Sequence, residues 1–279
     1  MLASIIAYME ATAWGVIWVA AILLAVELLT SIGTVSLTSR IRAYFFWLFN
    51  KLVIAVLIVV FPFYFAELGL SSLFNFHPHT FLNSGIEILR PIELTGAFVL
   101  CNALIGFFHC WFHRAFHMNR FLWRFHRIHH SIRDMSAVNS YRHFVEDLFV
   151  IPLVTIPMAL LVTVQDGPTP WIIATLFAMY GQYQHSCTRL TLGPLRYLFV
   201  DNRFHRIHHS LDPQHFNKNF TGFMPIWDVV FGTAHFPTAD EWPDTGIADL
   251  PEPANPYSLL LAPVLPARRP RAVALAGRP

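Results

Sequence analysis

The chain has 279 residues, of which 55% are hydrophobic and only 13% charged, with a mean hydropathy of +0.47 and a formal net charge of +2. An ordinary soluble domain carries roughly 25% charged residues, so the composition excludes a disordered chain and points to a membrane protein. The small net charge argues against nucleic acid as a partner, and three cysteines (Cys101, Cys110, Cys187) give neither a CxxC pair nor a disulfide framework.

In chain order, apolar runs occur at 14–30, 45–66, 94–112, 148–164 and 171–183. A helix needs about 20 apolar residues to cross a bilayer, with about 17 near the lower limit. The second and third runs meet this, the first and fourth just do, and the fifth is short. The fourth and fifth form a hairpin around the turn-forming stretch 165–170, which either crosses fully or dips in and returns; Pro152 and Pro157 would kink its first arm. The N-terminus lacks the basic start of a signal peptide, its first basic residue being Arg40. With all runs crossing, 18 of the 19 Lys and Arg residues fall on one side, the exception being Arg90. The positive-inside rule makes that side cytoplasmic and places 113–147 and everything after 184 there. The expected fold is all-α: an integral membrane bundle of four to five membrane helices with a cytoplasmic, histidine-rich helical cap. Residues 1–40 read as an N-terminal membrane helix and basic loop, 41–240 as the catalytic core, and 241–279 as a Pro-rich, loosely ordered tail.

Twelve of the 15 histidines lie between residues 109 and 215, and they are patterned. His113 and His117 form HxxxH. His126, His129 and His130 form HxxHH, as do His205, His208 and His209, both inside an identical octapeptide, Arg-Phe-His-Arg-Ile-His-His-Ser, at 124–131 and 203–210. On a helix, positions i, i+3 and i+4 share a face, so each HxxHH is expected to aim three imidazoles at one point. His185 lies at the corresponding end of the fifth run. Nine candidates (113, 117, 126, 129, 130, 185, 205, 208, 209) exceed the ligands of one ion and suit a dinuclear site with about four or five imidazoles per ion, a donor set compatible with Fe, Zn, Cu or Ni. Acids nearby are too scattered to bridge two ions; Glu146, Asp201 and Asp228 are expected as ligands or as acceptors for the outer N–H of a ligand histidine. His143 and His109 fall in the same class of ligand or supporting residue. His215 and His235 read as loop residues near the site, and His77 and His79 as loop residues on the opposite side.

Trp111-Phe-His-Arg-Ala-Phe-His117, followed by Leu122-Trp-Arg-Phe-His-Arg-Ile-His-His-Ser131, resembles the fatty acid hydroxylase superfamily, also called the sterol desaturase family. His205-Arg-Ile-His-His-Ser210, Asn217-Lys-Asn-Phe220 and Trp227-Asp-Val-Val-Phe-Gly-Thr233 continue the likeness, which runs from about residue 95 to 236. The resemblance implies a membrane-embedded non-haem di-iron oxygenase that uses O2 to hydroxylate or desaturate a sterol, fatty acyl chain or related lipid. It makes the nine histidines the ligands of two iron ions, for which zinc can substitute during purification. Departures from the usual pattern are Gly106 for an Asp, His109-Cys110 for an aromatic pair, and His143-Phe144 for His-Pro. No cytochrome b5-like signature is found, so a separate electron donor is expected, cytochrome b5-like or a ferredoxin with its reductase. The membrane would be a bacterial inner membrane or the endoplasmic reticulum, with the metal site on its cytoplasmic face.

A lipid must reach such a site from the bilayer, and Phe108, Trp111, Phe112, Phe177 and Tyr180 are candidates to line its path; the competing reading is interfacial aromatics. The rival functions are a non-catalytic multi-histidine protein or metal transporter, which would place ligands near mid-membrane, a zinc hydrolase, for which the chain has no HExxH, and a lipid-binding scaffold.

Overall fold

The computed structural model describes residues 17–33, 35–50, 53, 84–150 and 179–264. Among these the regular elements are helical and strand pairing is confined to isolated bridges. The helices are α1 (17–30), α2 (37–50), α3 (Arg90–Met118), α4 (Arg120–His130), α5 (Phe144–Val150), α6 (179–185), α7 (Asn202–His208), α8 (Ile226–Val230) and α9 (Pro256–Leu261). No helix among the described residues is long and apolar enough to cross a membrane. The third apolar run falls within α3; the other four lie wholly or partly outside the described residues.

Local chemistry sets the boundaries that matter for the site. Pro91 stands in the first turn of α3, where its missing N–H costs nothing. Asn119 ends α3 and begins α4: its extended backbone breaks the helix, and its side-chain oxygen accepts from the N–H groups of Phe121 (2.9 Å) and Leu122 (3.2 Å). Asp201 caps α7 by accepting from the Phe204 N–H at 2.8 Å. Each HxxHH thus follows a capped helix start.

The core is built around these helices. Phe46, Ile128, Ile132, Met135, Tyr141, Leu259 and Ala262 form one buried cluster joining α2, α4, the loop after it and α9. Ala20, Ala43, Trp47 and Val138 form a second. Glu27 on α1, 1% exposed, pairs with Arg40 at 2.5 Å and accepts from the N–H groups of Ala137 (2.7 Å) and Cys187 (3.1 Å). One buried carboxylate therefore ties α1 and α2 to the loops after α4 and α6.

Residues 241–264 do not form the loose tail expected from composition. Arg203 donates to the carbonyls of Thr238 and Ala239, both at 2.6 Å, and of Glu241 at 3.1 Å. Arg206 donates to the Pro243 carbonyl (2.8 Å) and lies over the Trp242 ring. Glu252 pairs with Arg42, and a capping box at Asn255 starts α9, which buries Leu259 in the core. Proline spacing and charge disguised a segment held mainly through its backbone carbonyls.

Candidate metal centre

Nine imidazoles from α3, α4, α6 and α7 and its C-cap converge in two adjacent groups. His113, His117, His126, His130 and His208 form one; His129, His185, His205 and His209 form the other; within each, the candidate ligand atoms lie within 4.8 Å of one another. The groups share a wall, with the His130 and His209 rings stacked at 4.4 Å. Neither HxxHH aims all three rings at one point. At about 100° per residue, i and i+4 are about 40° apart, whereas i+3 falls about 60° to the other side. His126 and His130 therefore enter the first group while His129 enters the second. In α7 the division is reversed: His205 and His209 enter the second and His208 the first.

Outward hydrogen bonds to backbone carbonyls fix four of these rings. Nδ1 of His113 donates to the Phe220 carbonyl (2.7 Å) and Nδ1 of His208 to the Lys218 carbonyl (2.8 Å). In the second group, Nδ1 of His129 donates to the Tyr141 carbonyl (3.0 Å) and Nδ1 of His185 to the Gly181 carbonyl (2.8 Å). A carbonyl can only accept, so in each neutral ring the proton is on Nδ1 and Nε2 carries a lone pair. Nε2 of His113 nevertheless lies 3.0 Å from Nε2 of His208, and Nε2 of His129 lies 3.2 Å from Nε2 of His185. Two lone pairs facing one another repel. A proton shared between them is disfavoured, because burial depresses the basicity of these rings, His208 to about 4, His185 to about 3, and His113 and His129 well below the usual histidine value. A metal cation in each group relieves the repulsion, so the donor set fits two imidazole-bound ions.

The other candidates occupy different places. Glu146, 3% exposed, lies 2.8 Å from Nδ1 of His126, a carboxylate behind a group member; burial raises its pKa to about 8. Asp201 belongs to neither group and caps α7. Asp228 also belongs to neither. Its oxygens accept from the N–H groups of Phe220 and Thr221, both at 2.8 Å, and from the hydroxyls of Thr233 (2.6 Å) and Thr221. His143 accepts from the Val145 N–H at 3.2 Å and faces the Leu260 carbonyl, outside both groups. His215 and His235 share one oxygen of Glu241, at 2.9 and 3.0 Å.

A family profile described as fatty acid hydroxylase matches residues 98–233, the segment that holds all nine imidazoles. That segment is similar to the fatty acid hydroxylase family. Relatives include ornithine lipid hydroxylase OlsE of Rhizobium tropici, 36% identical over 156 residues, covering 52% of this chain and 46% of the relative. Alkylglycerol monooxygenase of Danio rerio is 32% identical over 124 residues (44% of this chain, 27% of the relative). Very-long-chain aldehyde decarbonylase GL1-6 of Oryza sativa subsp. indica is 28% identical over 141 residues (46% and 21%). The matched region spans less than half the length of each of these relatives. No solved structure matches.

Beside the two groups lies a partly open cavity of about 160 Å³, lined by members of both: His113 and His126 from the first, His129, His185 and His205 from the second. Of the expected aromatics, Phe112 and Tyr180 line it, and Phe177 lies outside the described residues. Phe108 and Trp111 do not; they are 61% and 46% exposed on another face of α3, because the cavity takes positions 109, 112, 113 and 116. His109 lines the cavity one turn before His113. Gly106, where the resemblance would place Asp, is where Trp227 packs: a Cβ there would stand 3.4 Å from the indole, whose N–H donates to the Ala103 carbonyl.

Sequence reasoning did not identify the carbonyl acceptors. Lys218 and Phe220 flank Asn219, and Asn217 and Asn219 both have left-handed backbones (φ 59° and 60°). Asn219 is fully buried; its amide donates to the carbonyls of Phe204 and His235 and its oxygen accepts from the His235 N–H. The Asn-x-Asn spelling and the Trp227-Asp228 pair are the sequence signals that mark this loop.

Proposed function

We propose that the protein is a membrane-bound non-haem di-iron oxygenase that hydroxylates or desaturates an unactivated C–H position of a long-chain lipid, using O2 and electrons from a separate donor protein. The observation that carries this reading is the pair of imidazole groups, each with carbonyl-fixed lone pairs turned inward, opening on one cavity. His113, His117, His126, His130 and His208 would hold one ion, and His129, His185, His205 and His209 the other. Bound iron would supply the O2 and redox chemistry that an unactivated C–H bond demands. The protein's own part is to keep the imidazoles neutral by burial, orient them through the outward carbonyls and Glu146, and hold the substrate in the adjoining cavity against Phe112, Phe116, Tyr180 and Phe220.

Long-chain lipid as substrate class is carried over from relatives named for ornithine lipid, alkylglycerol and very-long-chain aldehyde. Membrane attachment is supported by the large apolar side chains left exposed on α1 (Ile17, Trp18, Ile22, Leu28, Leu29) and α3 (Ile92, Leu100, Phe108). The test is iron content together with O2 consumption on addition of a membrane lipid extract and a chemical or protein reductant. About two irons per chain with lipid-dependent O2 uptake supports the reading; bound metal with no uptake under any lipid overturns it in favour of a binding or transport protein.

A further inference from the structure

Most polar groups around the cavity are committed to partners. Gln184 donates to the Gly222 carbonyl (2.6 Å), Tyr180 to the Val200 carbonyl (2.5 Å), and Thr221 to Asp228. Glu146, the one acid in the described lining, faces His126. Arg142 is different. It lines the cavity near enough to Glu146 for its charge to pull that carboxyl's pKa down, yet among the described residues its guanidinium makes no hydrogen bond and no ion pair shorter than 4 Å. Its backbone is held on both sides, by Tyr141 (1% exposed, its ring 5.1 Å from that of Phe46) and by His143 (3% exposed). Its charge is near enough to depress the basicity of His129, His185 and His205. His109, on the same wall, has a buried Nδ1 without a partner.

A guanidinium is always charged and presents a planar fork of donors, and an anion entering the cavity would complete the donors that Glu146 leaves open. Two bound cations would make the same cavity more positive still, strengthening its pull on an anion. The geometry points to Arg142 as a specificity-determining residue that receives a carboxylate on the lipid substrate, so that the lipid's acid end lies at the imidazole groups. A carboxylate matches the planar donor fork in two-point contact. This rests on the proposed function only in taking the cavity as the substrate cavity.

The test is equilibrium binding by the full chain in detergent, in the absence of O2 and reductant, with palmitate, methyl palmitate and inorganic phosphate as probes. Wild type should prefer palmitate over its ester by about 10- to 100-fold, the usual range for a charge-assisted contact. Arg142→Gln should erase the preference, and Arg142→Lys should keep part of it; unchanged metal content in both variants shows that the site has folded. Equal affinity of wild type for acid and ester, a preference that survives Arg142→Gln, or phosphate displacing palmitate at equal concentration would each overturn the assignment. A carboxylate preference that depends on Arg142, in a protein that never consumes O2, sinks the oxygenase reading and leaves this one standing. Lipid-dependent O2 uptake with no role for Arg142 in binding does the reverse.

Discussion

Replacing Asp228 with asparagine tests whether the loop behind the imidazoles is part of the site. The carboxylate is fully buried and accepts four hydrogen bonds, two per oxygen, from Phe220, Thr221 and Thr233. Asparagine has the same shape but only one accepting oxygen. Whichever way the amide turns, one backbone N–H, of Phe220 or Thr221, is left facing an NH2 group. A stranded buried donor costs about 1–3 kcal/mol, and the bonds that remain lose their charge assistance, about 1 kcal/mol each. The sum, about 3–5 kcal/mol, should lower the apparent Tm by about 6–20 °C for a chain of this size. Because the Phe220 carbonyl orients His113, metal affinity of the five-imidazole group should fall about 10- to 100-fold as well. Thermal scans and metal titration of Asp228→Asn read both effects. A variant that melts within about 2 °C of wild type with undiminished metal affinity refutes the reasoning.

Other perturbations follow from the same geometry. The buried imidazoles stay neutral where an unfolded histidine takes up a proton near pH 6.5. The unfolded state therefore binds more protons below that pH, and stability should fall from about pH 6.5 down to the folded values, about 4 for His208 and 3 for His185. In that window each such histidine costs about 1.4 kcal/mol per pH unit. Glu146, raised to about 8, works the other way but is one group against nine; a melting temperature of metal-free protein that is flat between pH 7.5 and 5.5 contradicts this. Glu146→Ala should weaken metal binding by about 10- to 100-fold, while Glu146→Gln, which still accepts from His126, should lose less; equal losses in a metal titration speak against a supporting role. Glu241→Ala frees His215 and His235 and should lower the Tm while both ions stay bound, so a chain that loses metal on this change places Glu241 in the centre instead. His126→Ala should deplete one ion and His205→Ala the other, read as about one metal per chain in each; loss of neither means the two groups are not the sites.

Much of the site is written in local spacing. HxxxH and HxxHH are helical codes, and the capped helix starts at Asn119 and Asp201 are equally local, so all nine imidazoles are recognisable in the sequence. Their partition is less so, because it depends on how α4 and α7 are rotated against each other and not on either motif alone. The acceptors are harder still. Tyr141, Gly181, Lys218 and Phe220 act through backbone carbonyls, to which side-chain identity contributes nothing directly. Composition misled at the C-terminus, where proline and charge imitate a linker although Arg203 and Arg206 grip its carbonyls. The aromatics show the same limit: Phe112 and Trp111 are adjacent in sequence, but helical rotation gives one to the cavity and the other to the surface.

The repeated octapeptide acquires a physical reason from this partition. One HxxHH helix supplies an i, i+4 pair to one group and its i+3 ring to the neighbouring group. A single copy leaves one group short by a pair and the other short by one ring. A second helix of identical pattern, docked with its pair toward the opposite group, completes both at once. α3 then adds His113 and His117 to the first group, and α6 adds His185 to the second. Because α4 and α7 each serve both groups, neither group can be assembled without bringing together chain segments about 80 residues apart. Metal bound at either group would therefore favour the docking that the other needs, and that linkage would couple the centre to the fold more tightly than two independent four-ligand sites.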